Sequence, residues 1–333
     1  MIIYYNQNLS NYNSFKVYGN VKKVFFIENK EDLFAIDYKK IIQKKGVILG
    51  KGTNILFLNL PEEIYVINFK GIKIKTINKD YVRLFIKAGE ILDEVIEFCI
   101  NNKFCGLENL SGIPGTVGGA IVGNSGAFGR EISDFVIKVI VFSLKEKKFF
   151  TLNKNDCLFD YRNSLFKNNP EFVIYKVEIE LKKYKTYNFL IENEHLKNIL
   201  KDKVLDLQII RNSILKLRND KLPNYEKLGN AGSFFKNVLL PYKKLRLLKM
   251  NFKDLPYHKI SNDKYKIPTA WLLEKLNLKG IIKGNVCMYE KNPLIIINLG
   301  NATGKEIYNF TLEIKNEFSK KLNIILEEEV IIF

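Results

Sequence analysis

The stretch Gly112-Ile-Pro-Gly-Thr-Val-Gly-Gly-Ala-Ile-Val-Gly-Asn-Ser-Gly-Ala-Phe-Gly129 holds seven of the chain's twenty glycines within eighteen residues. Glycine takes up positive φ without steric penalty and lets backbone approach a neighbour closely. Such a segment is either a tight structural crossover or a loop whose N–H groups cradle a pyrophosphate. It lacks the G-x-G-x-x-G spacing of a doubly wound dinucleotide site and the Gly-Lys-Ser/Thr end of a Walker loop. Glycine content alone leaves both readings open.

The 333 residues suffice for roughly two or three domains. An apolar fraction of 47% and a charged fraction of 27% are those of a globular protein. No apolar run approaches the roughly 20 residues of a membrane helix, and Leu294-Ile-Ile-Ile-Asn-Leu299 reads as a buried strand. Met1-Ile-Ile-Tyr-Tyr-Asn6 has neither a basic start nor a long apolar segment, so no signal peptide is expected and the expected location is cytoplasmic.

A net charge of +17 raises the class of nucleic-acid-binding proteins. Only six of the 53 basic residues are Arg, however, and the lysines are dispersed among Ile and Asn rather than gathered in a stripe. The expectation is a solvated basic surface from compositional bias, with no nucleic-acid partner, that can still attract a di-anionic nucleotide. Cys99, Cys105, Cys157 and Cys287 contain no C-x-x-C pair, and His195 and His258 are the only histidines. Neither a metal site nor a redox pair is expected, nor a Ser-His-Asp or Cys-His set.

Along the chain, Val24–Ile27 reads as a strand, Asn29 as the cap of a helix through about Lys45, and Gly46–Leu49 as a second strand ending in Gly50-Lys-Gly-Thr-Asn54. This is a β-α-β unit with a glycine turn at its carboxyl end. Strands follow at about Tyr65–Phe69 and Val82–Ala88. Leu92, Val95, Ile96 and Cys99 recur at i, i+3, i+4 and i+7, which marks a buried helical face. Strands at Val136–Ser143 and Phe172–Leu181 close this region. A polar segment from Lys182 to Asp220 contains a helix at about Leu207–Leu217. The last third holds a helix at about Pro268–Leu276 and a strand at Leu294–Ile297. There Thr303-Gly-Lys-Glu306 is a capping box that opens a helix with Ile307, Phe310, Ile314 and Phe318 on one face. Gly300-Asn-Ala-Thr-Gly-Lys305 imitates a Walker loop, but it is one residue short and Glu306 stands where Ser/Thr is required, so it reads as a helix start. Asn323–Phe333 reads as a strand.

Three features break the rules of plain core. Ser233 lies between glycines and Phe234-Phe235, as a turn serine or as a hydroxyl held against an apolar wall. Glu327-Glu-Glu329 interrupts apolar residues on both sides, and alternation puts Glu327 and Glu329 on one face. Such carboxylates are costly unless paired or used, or else they protect an exposed edge strand. Arg162, beside Tyr161 and Phe166, is either a surface ion pair or a carboxylate-binding group. An Arg, a Glu and a Ser together suit chemistry at a carboxylate-bearing substrate. A hydroxyl is a weak acid and needs a very basic carbon acceptor, such as the one left when hydride adds to an activated alkene.

The ordered segments Asn13-Ser-Phe15, Leu49–Leu56, Ala88-Gly-Glu90, Gly106–Leu110, Ile113–Gly119, Tyr161–Lys167, Gly232–Asn237, Ala270–Leu273, Leu278-Lys-Gly280, Gly300–Lys305 and Leu326–Val330 run nearly end to end. On these the chain resembles the MurB-type UDP-N-acetylenolpyruvoylglucosamine reductases of peptidoglycan synthesis, in their longer type I form. The resemblance implies an α+β fold: a two-subdomain FAD-binding module of the vanillyl-alcohol-oxidase type plus a C-terminal substrate-binding domain. The implied boundaries are 1–70 (with strand 324–333 returning towards the active site), 71–217 including the 182–217 insertion, and 218–323. It implies FAD held near Gly50, Gly52, Thr53, Asn54, Ile113, Pro114, Gly115, Thr116, Gly118, Gly119 and Gly126. NADPH and the enolpyruvyl nucleotide would use one cleft in turn, which accounts for the missing G-x-G-x-x-G loop. Ser233 would protonate the substrate, Arg162 and Glu329 would stabilise the enolised carboxylate, and Arg218, Lys221, Asn237, Lys279 and Asn292 would contact the nucleotide. A monomer without membrane attachment is expected.

Two departures keep the functional neighbours: Val238 and Glu328 stand where the family has proline. In the loop after Leu181, Asn193 stands where the family has a substrate-covering Tyr, with Tyr184 and Tyr187 upstream. The readings set against this one are another FAD-dependent oxidoreductase on the same scaffold and a basic nucleic-acid-binding protein.

Overall fold

The computed structural model describes residues 1–184, 189, 191 and 193–333; Tyr187 lies outside them. The chain divides into two compact units. One comprises Met1–Asn8, Asn20–Gly52 and Leu60–Asp220, and the other Leu9–Gly19, Thr53–Asn59 and Lys221–Phe333.

In the first unit, strand Asn20–Ile27 lies parallel to Glu63–Ile67, which lies parallel to Gly46–Leu49, while Ile2–Asn8 pairs antiparallel as an edge. The expected β-α-β unit is present, with Glu63–Ile67 inserted between its two strands. Its connection corrects the expected helix from Asn29 through Lys45. The Asp32 carboxylate accepts the N–H groups of Glu28 and Asn29 at 2.9 and 3.0 Å, next to a short 3-10 helix at Glu31–Ala35. Asp37 then caps a separate helix, Tyr38–Ile42, by accepting Lys39 N–H at 2.9 Å. Short acidic side chains that take up nearby backbone donors break what periodicity alone would join.

A second sheet runs in the order Lys148–Asn153, Val136–Ser143, Phe172–Lys183, Tyr81–Lys87, Ile72–Thr76, all neighbours antiparallel, and Phe104–Cys105 pairs with the end of Phe172–Lys183. Val82, Leu84 and Ile86 point inward while Tyr81, Arg83 and Phe85 do not, the two-residue period of a half-buried strand. Helix Leu92–Asn101 buries the expected Leu92, Val95, Ile96 and Cys99. These residues join Phe25, Tyr65 and Val139 in one core that spans both sheets. Helix Leu207–Lys221 extends the expected element by four residues and packs Ile210 and Ile214 against Leu196 and Leu200.

The second unit has two three-stranded sheets. One is Val238–Leu240, Lys264–Ile267 and His258–Ser261; the other is Ile282–Lys283, Val286–Met288 and Ile296–Asn298. Helix Gly304–Leu322 opens on the expected capping box. The Thr303 hydroxyl accepts Glu306 N–H at 3.2 Å, and the Glu306 carboxylate accepts Thr303 N–H at 2.7 Å. A Cβ on Gly304 would run into the Phe57 carbonyl, so the glycine of this Walker imitation serves close packing.

The expected strand over Asn323–Phe333 is corrected. Asn323 ends the helix at φ +52°, and regular pairing is confined to Ile331–Ile332, parallel to Ile55–Leu56. Between them, Glu328 makes a single antiparallel bridge to Phe235. Among the described residues, no helix is long and apolar enough to cross a membrane, and no group of three metal-ligating side chains could hold a metal ion.

Candidate active site

In the first unit, strand Gly46–Leu49 runs into Gly50, and a Cβ there would overlap the Thr116 side chain. The two glycine-bearing loops touch because position 50 carries no side chain. Thr116 caps helix Val117–Gly123, its hydroxyl accepting Gly119 N–H at 3.2 Å. Val117 and Gly118 donate to the carbonyls of Glu90 and Ala88, both at 2.8 Å, and Ile113 donates to Leu110. Those N–H groups fasten the loop and are not available to a ligand. The N–H groups of Lys51, Gly52, Gly115 and Thr116 donate to no described residue. Two touching loops with unpaired N–H groups suit a pyrophosphate, so the residues present fit FAD. Both readings of the glycine stretch hold in part, since one half is crossover and the other is open to a ligand.

Arg162 belongs to the same unit. Its φ of +54° is uncommon for a residue with a side chain. The guanidinium donates through Nη2 to the Gly126 carbonyl at 2.5 Å and through Nη1 to the Asn124 carbonyl at 3.3 Å, with the Glu131 carboxylate at 3.4 Å. Asn124, itself at φ +43°, donates through Nδ2 to the other Glu131 oxygen at 2.7 Å and to the Asp160 carbonyl at 3.0 Å. The expected cofactor residue Gly126 is thus a direct ligand of the expected catalytic arginine.

In the second unit, Ser233 begins the segment Ser233-Phe-Phe-Lys236, which pairs on both sides. Ser233 bridges to Ile295, Phe234 N–H donates to the Leu294 carbonyl at 2.7 Å, and Glu329 N–H donates to the Phe234 carbonyl at 2.8 Å. Phe234 and Phe235 are fully buried, so the apolar wall expected beside Ser233 is present. The Ser233 hydroxyl has no hydrogen-bond partner among the described residues. The Asn54 side chain donates to the Glu329 carbonyl at 3.4 Å, which brings an expected cofactor residue to an expected catalytic one. Thr53 lies beside Asn54 in this unit. The three glutamates have separate surroundings: Glu327 pairs with Lys236 at 3.1 Å, Glu328 with Lys315 at 2.5 Å, and Glu329 is half-buried.

The expected substrate residues differ in how far the protein already uses them. Arg218 donates Nε–H to the Gly112 carbonyl at 3.1 Å, and burial pushes its guanidinium down to about 10. Lys221 is exposed with no ion-pair partner among the described residues. Lys279 pairs with Glu274 at 2.7 Å. The Asn237 side-chain oxygen accepts Thr269 N–H at 3.1 Å at the start of helix Thr269–Lys275, and that of Asn292 accepts Leu294 N–H at 3.2 Å in the turn before Ser233's partner Ile295. Sequence reasoning did not find Asn124, Glu131, Asp93 or Arg211. Asn124 and Glu131 flank the last glycines, and Glu131 is three residues from Asp134 in a capping box that could have marked it. Asp93 and Arg211 lie far apart in the chain and have no local signature.

Residues 223–333 match the profile of the UDP-N-acetylenolpyruvoylglucosamine reductase C-terminal domain, and residues 24–145 match an FAD binding domain. Relatives named UDP-N-acetylenolpyruvoylglucosamine reductase align along nearly the whole chain. That of Buchnera aphidicola subsp. Schizaphis graminum is 37% identical over 331 residues, covering 97% of this chain and 94% of the relative. That of Buchnera aphidicola subsp. Baizongia pistaciae is 38% identical, covering 98% of each. That of Flavobacterium johnsoniae is 32% identical, covering 99% of each. The crystal structure of UDP-N-acetylenolpyruvylglucosamine reductase (MurB) from Thermus caldophilus superposes with a TM-score of 0.66 at 20% identity, covering 100% of this chain and 98% of that one, which shows a shared fold. The fold is α+β with an FAD-binding module of the vanillyl-alcohol-oxidase type. With relatives this similar over their full lengths, the chain belongs to the UDP-N-acetylenolpyruvoylglucosamine reductase family.

Proposed function

We propose that this chain reduces the enolpyruvyl ether of UDP-N-acetylglucosamine enolpyruvate to UDP-N-acetylmuramate, with NADPH as reductant and FAD as cofactor, in peptidoglycan precursor synthesis. Bound FAD supplies the hydride transfer from NADPH to the terminal alkene carbon. The chain's own residues then have three tasks. Ser233 gives its proton to the carbon that bears the carboxylate. Arg162 and Glu329 stabilise the negative charge that spreads onto that carboxylate as the enolate forms. The turn at Gly50–Gly52 and the Gly115–Thr116 part of the Ile113–Gly119 loop, whose N–H groups are open, hold the pyrophosphate, and Arg218, Lys221, Asn237, Lys279 and Asn292 bind the nucleotide.

The observation that carries this reading is the Ser233 hydroxyl, which precedes buried Phe234 in the chain and has no hydrogen-bond partner among the described residues, which leaves it able to donate. The preset guanidinium of Arg162 supports the second task, because a donor held by Gly126 and Asn124 does not have to reorganise when charge develops. The four-stranded sheet drawn from residues 2–67 and the six-stranded sheet from residues 72–183 support FAD subdomains at 1–70 and 71–217. Residues 218–323 would form the substrate domain. We place the protein in the cytoplasm as a monomer, where NADPH and nucleotide sugars are made. Another flavin oxidation on this scaffold has no use for the Ser233 donor, and the names of the relatives do not favour it.

The test is the purified protein's absorption spectrum. A flavin spectrum that NADPH bleaches and the enolpyruvyl nucleotide restores is expected. Colourless protein that takes up no added FAD would overturn the reading.

A further inference from the structure

Asp93 lies in the first turn of helix Leu92–Asn101, and Arg211 lies on helix Leu207–Lys221, 118 residues later. Their side chains form a fork-to-fork pair, with Nη1 to Oδ1 at 2.6 Å and Nη2 to Oδ2 at 2.8 Å. Arg211 is buried, and the paired geometry fixes both planes. Asp93 Oδ1 also accepts Gly112 N–H at 2.7 Å, and the Gly112 carbonyl accepts Arg218 Nε–H at 3.1 Å. Both polar groups of one glycine residue are therefore gripped, the N–H by Asp93 and the carbonyl by Arg218. Gly112 stands at φ +74°, and a Cβ there would lie 2.8 Å from Leu215 Cδ2 and 3.0 Å from Arg218 Nε. Only glycine lets the helix come this close.

Burial works against the Asp93 carboxylate. The Arg211 fork and the Gly112 N–H overcome it and hold the carboxyl below its usual range. The charge that clamps the turn is thus present at neutral pH. Arg218 stands seven residues after Arg211, two turns along the same helix face, so fixing Arg211 fixes the stem of Arg218. Its terminal nitrogens donate to no described residue, which leaves the half-buried end of the guanidinium for an anion.

We propose that Asp93 and Arg211 are a positioning pair that sets two binding elements through one glycine: the Ile113–Gly119 cofactor loop, which begins one residue later, and the Arg218 guanidinium. The proposal rests on the reading above, in which that loop meets FAD and Arg218 meets the nucleotide. It implies that breaking one ion pair, neither member of which touches a ligand, loosens both ligands together.

The experiment uses the holoenzyme. In Asp93→Asn, FAD release on dilution (followed by recovery of flavin fluorescence) should quicken and KM for the enolpyruvyl nucleotide should rise, each about tenfold, the scale of one charge-assisted hydrogen bond. kcat should change by less than about threefold, since no group that meets the reacting atoms is altered. Arg211→Lys keeps the charge but loses the fork, and it should move both readouts the same way by less. Adding Arg211→Met to Asp93→Asn should add nothing further, because the pair is already broken. A lowered Tm with unchanged FAD release and KM in both single variants, or effects that simply add, would overturn the proposal. Arg218→Met separates the two readings, since it removes the guanidinium that meets the nucleotide but only one of the two grips on Gly112, so it should raise KM by more than it quickens FAD release. Unchanged KM there would remove Arg218 from the substrate site, and the clamp would then stand or fall on FAD release in Asp93→Asn and Arg211→Lys.

Discussion

The guanidinium of Arg162 is held by fixed acceptors, two backbone carbonyls and the Glu131 carboxylate among them, whereas the hydroxyl of Ser233 sits on a paired backbone with no hydrogen-bond partner among the described residues. The first arrangement spreads positional control over the side chain. The second confines it to the main chain. A group that must meet developing charge gains from being immobile beforehand, because reorganisation during the reaction would cost part of the stabilisation. A proton donor has the opposite need. A hydroxyl already bonded to an acceptor would have to break that bond before giving up its proton.

The sharpest way to break this contrast is Ser233→Ala. Bleaching of the flavin by NADPH should be unchanged, while reoxidation by the enolpyruvyl nucleotide should slow by at least about 10²-fold, the low end for general-acid contributions. Normal rapid kinetics in both half-reactions would take the proton away from Ser233. A smaller effect is expected on the other side of the contrast. Glu131→Gln keeps the shape of the Arg162 nest but removes its charge, and the two carbonyls still hold the guanidinium. Reoxidation should slow by about tenfold, the worth of one hydrogen bond to a charged group. A loss as large as that of the Ser233 variant would mean that Glu131 acts on substrate directly. The smallest effect belongs to Glu327→Gln. Its ion pair with Lys236 is largely exposed, so stability should fall by no more than about 1 kcal/mol in a thermal melt and both half-reactions should stay normal. A kinetic defect there would show that Glu329 is not the glutamate that matters.

Where burial and periodicity agree, the sequence was legible. Leu92, Val95, Ile96 and Cys99 form the face they were expected to form, and Val136–Ser143 has the expected bounds. Thr303 and Glu306 cap their helix because a capping box needs only four consecutive residues. The same locality explains the failures. Asp32 and Asp37 divide one apparent helix into two because short acids compete for backbone donors that periodicity does not count. Glu328 bridges to Phe235, so the run of glutamates is set by a partner some ninety residues away and not by alternation alone. Within the candidate site, Arg162, Ser233 and Glu329 could be singled out because each breaks a local rule. The groups that hold Arg162 could not, since the acceptors at Asn124 and Gly126 are carbonyl oxygens and every residue has one.

The segment Thr53–Asn59 carries a consequence for the order in which the chain is made. Leu56 and Phe57 are fully buried, yet Ile55 and Leu56 pair with Ile331 and Ile332, and the Phe57 carbonyl packs on Gly304. During synthesis these early residues emerge long before the partners that cover them. Until then they present unpaired strand edge and bare aromatic surface, which is where a nascent chain is open to misassociation or in need of a chaperone.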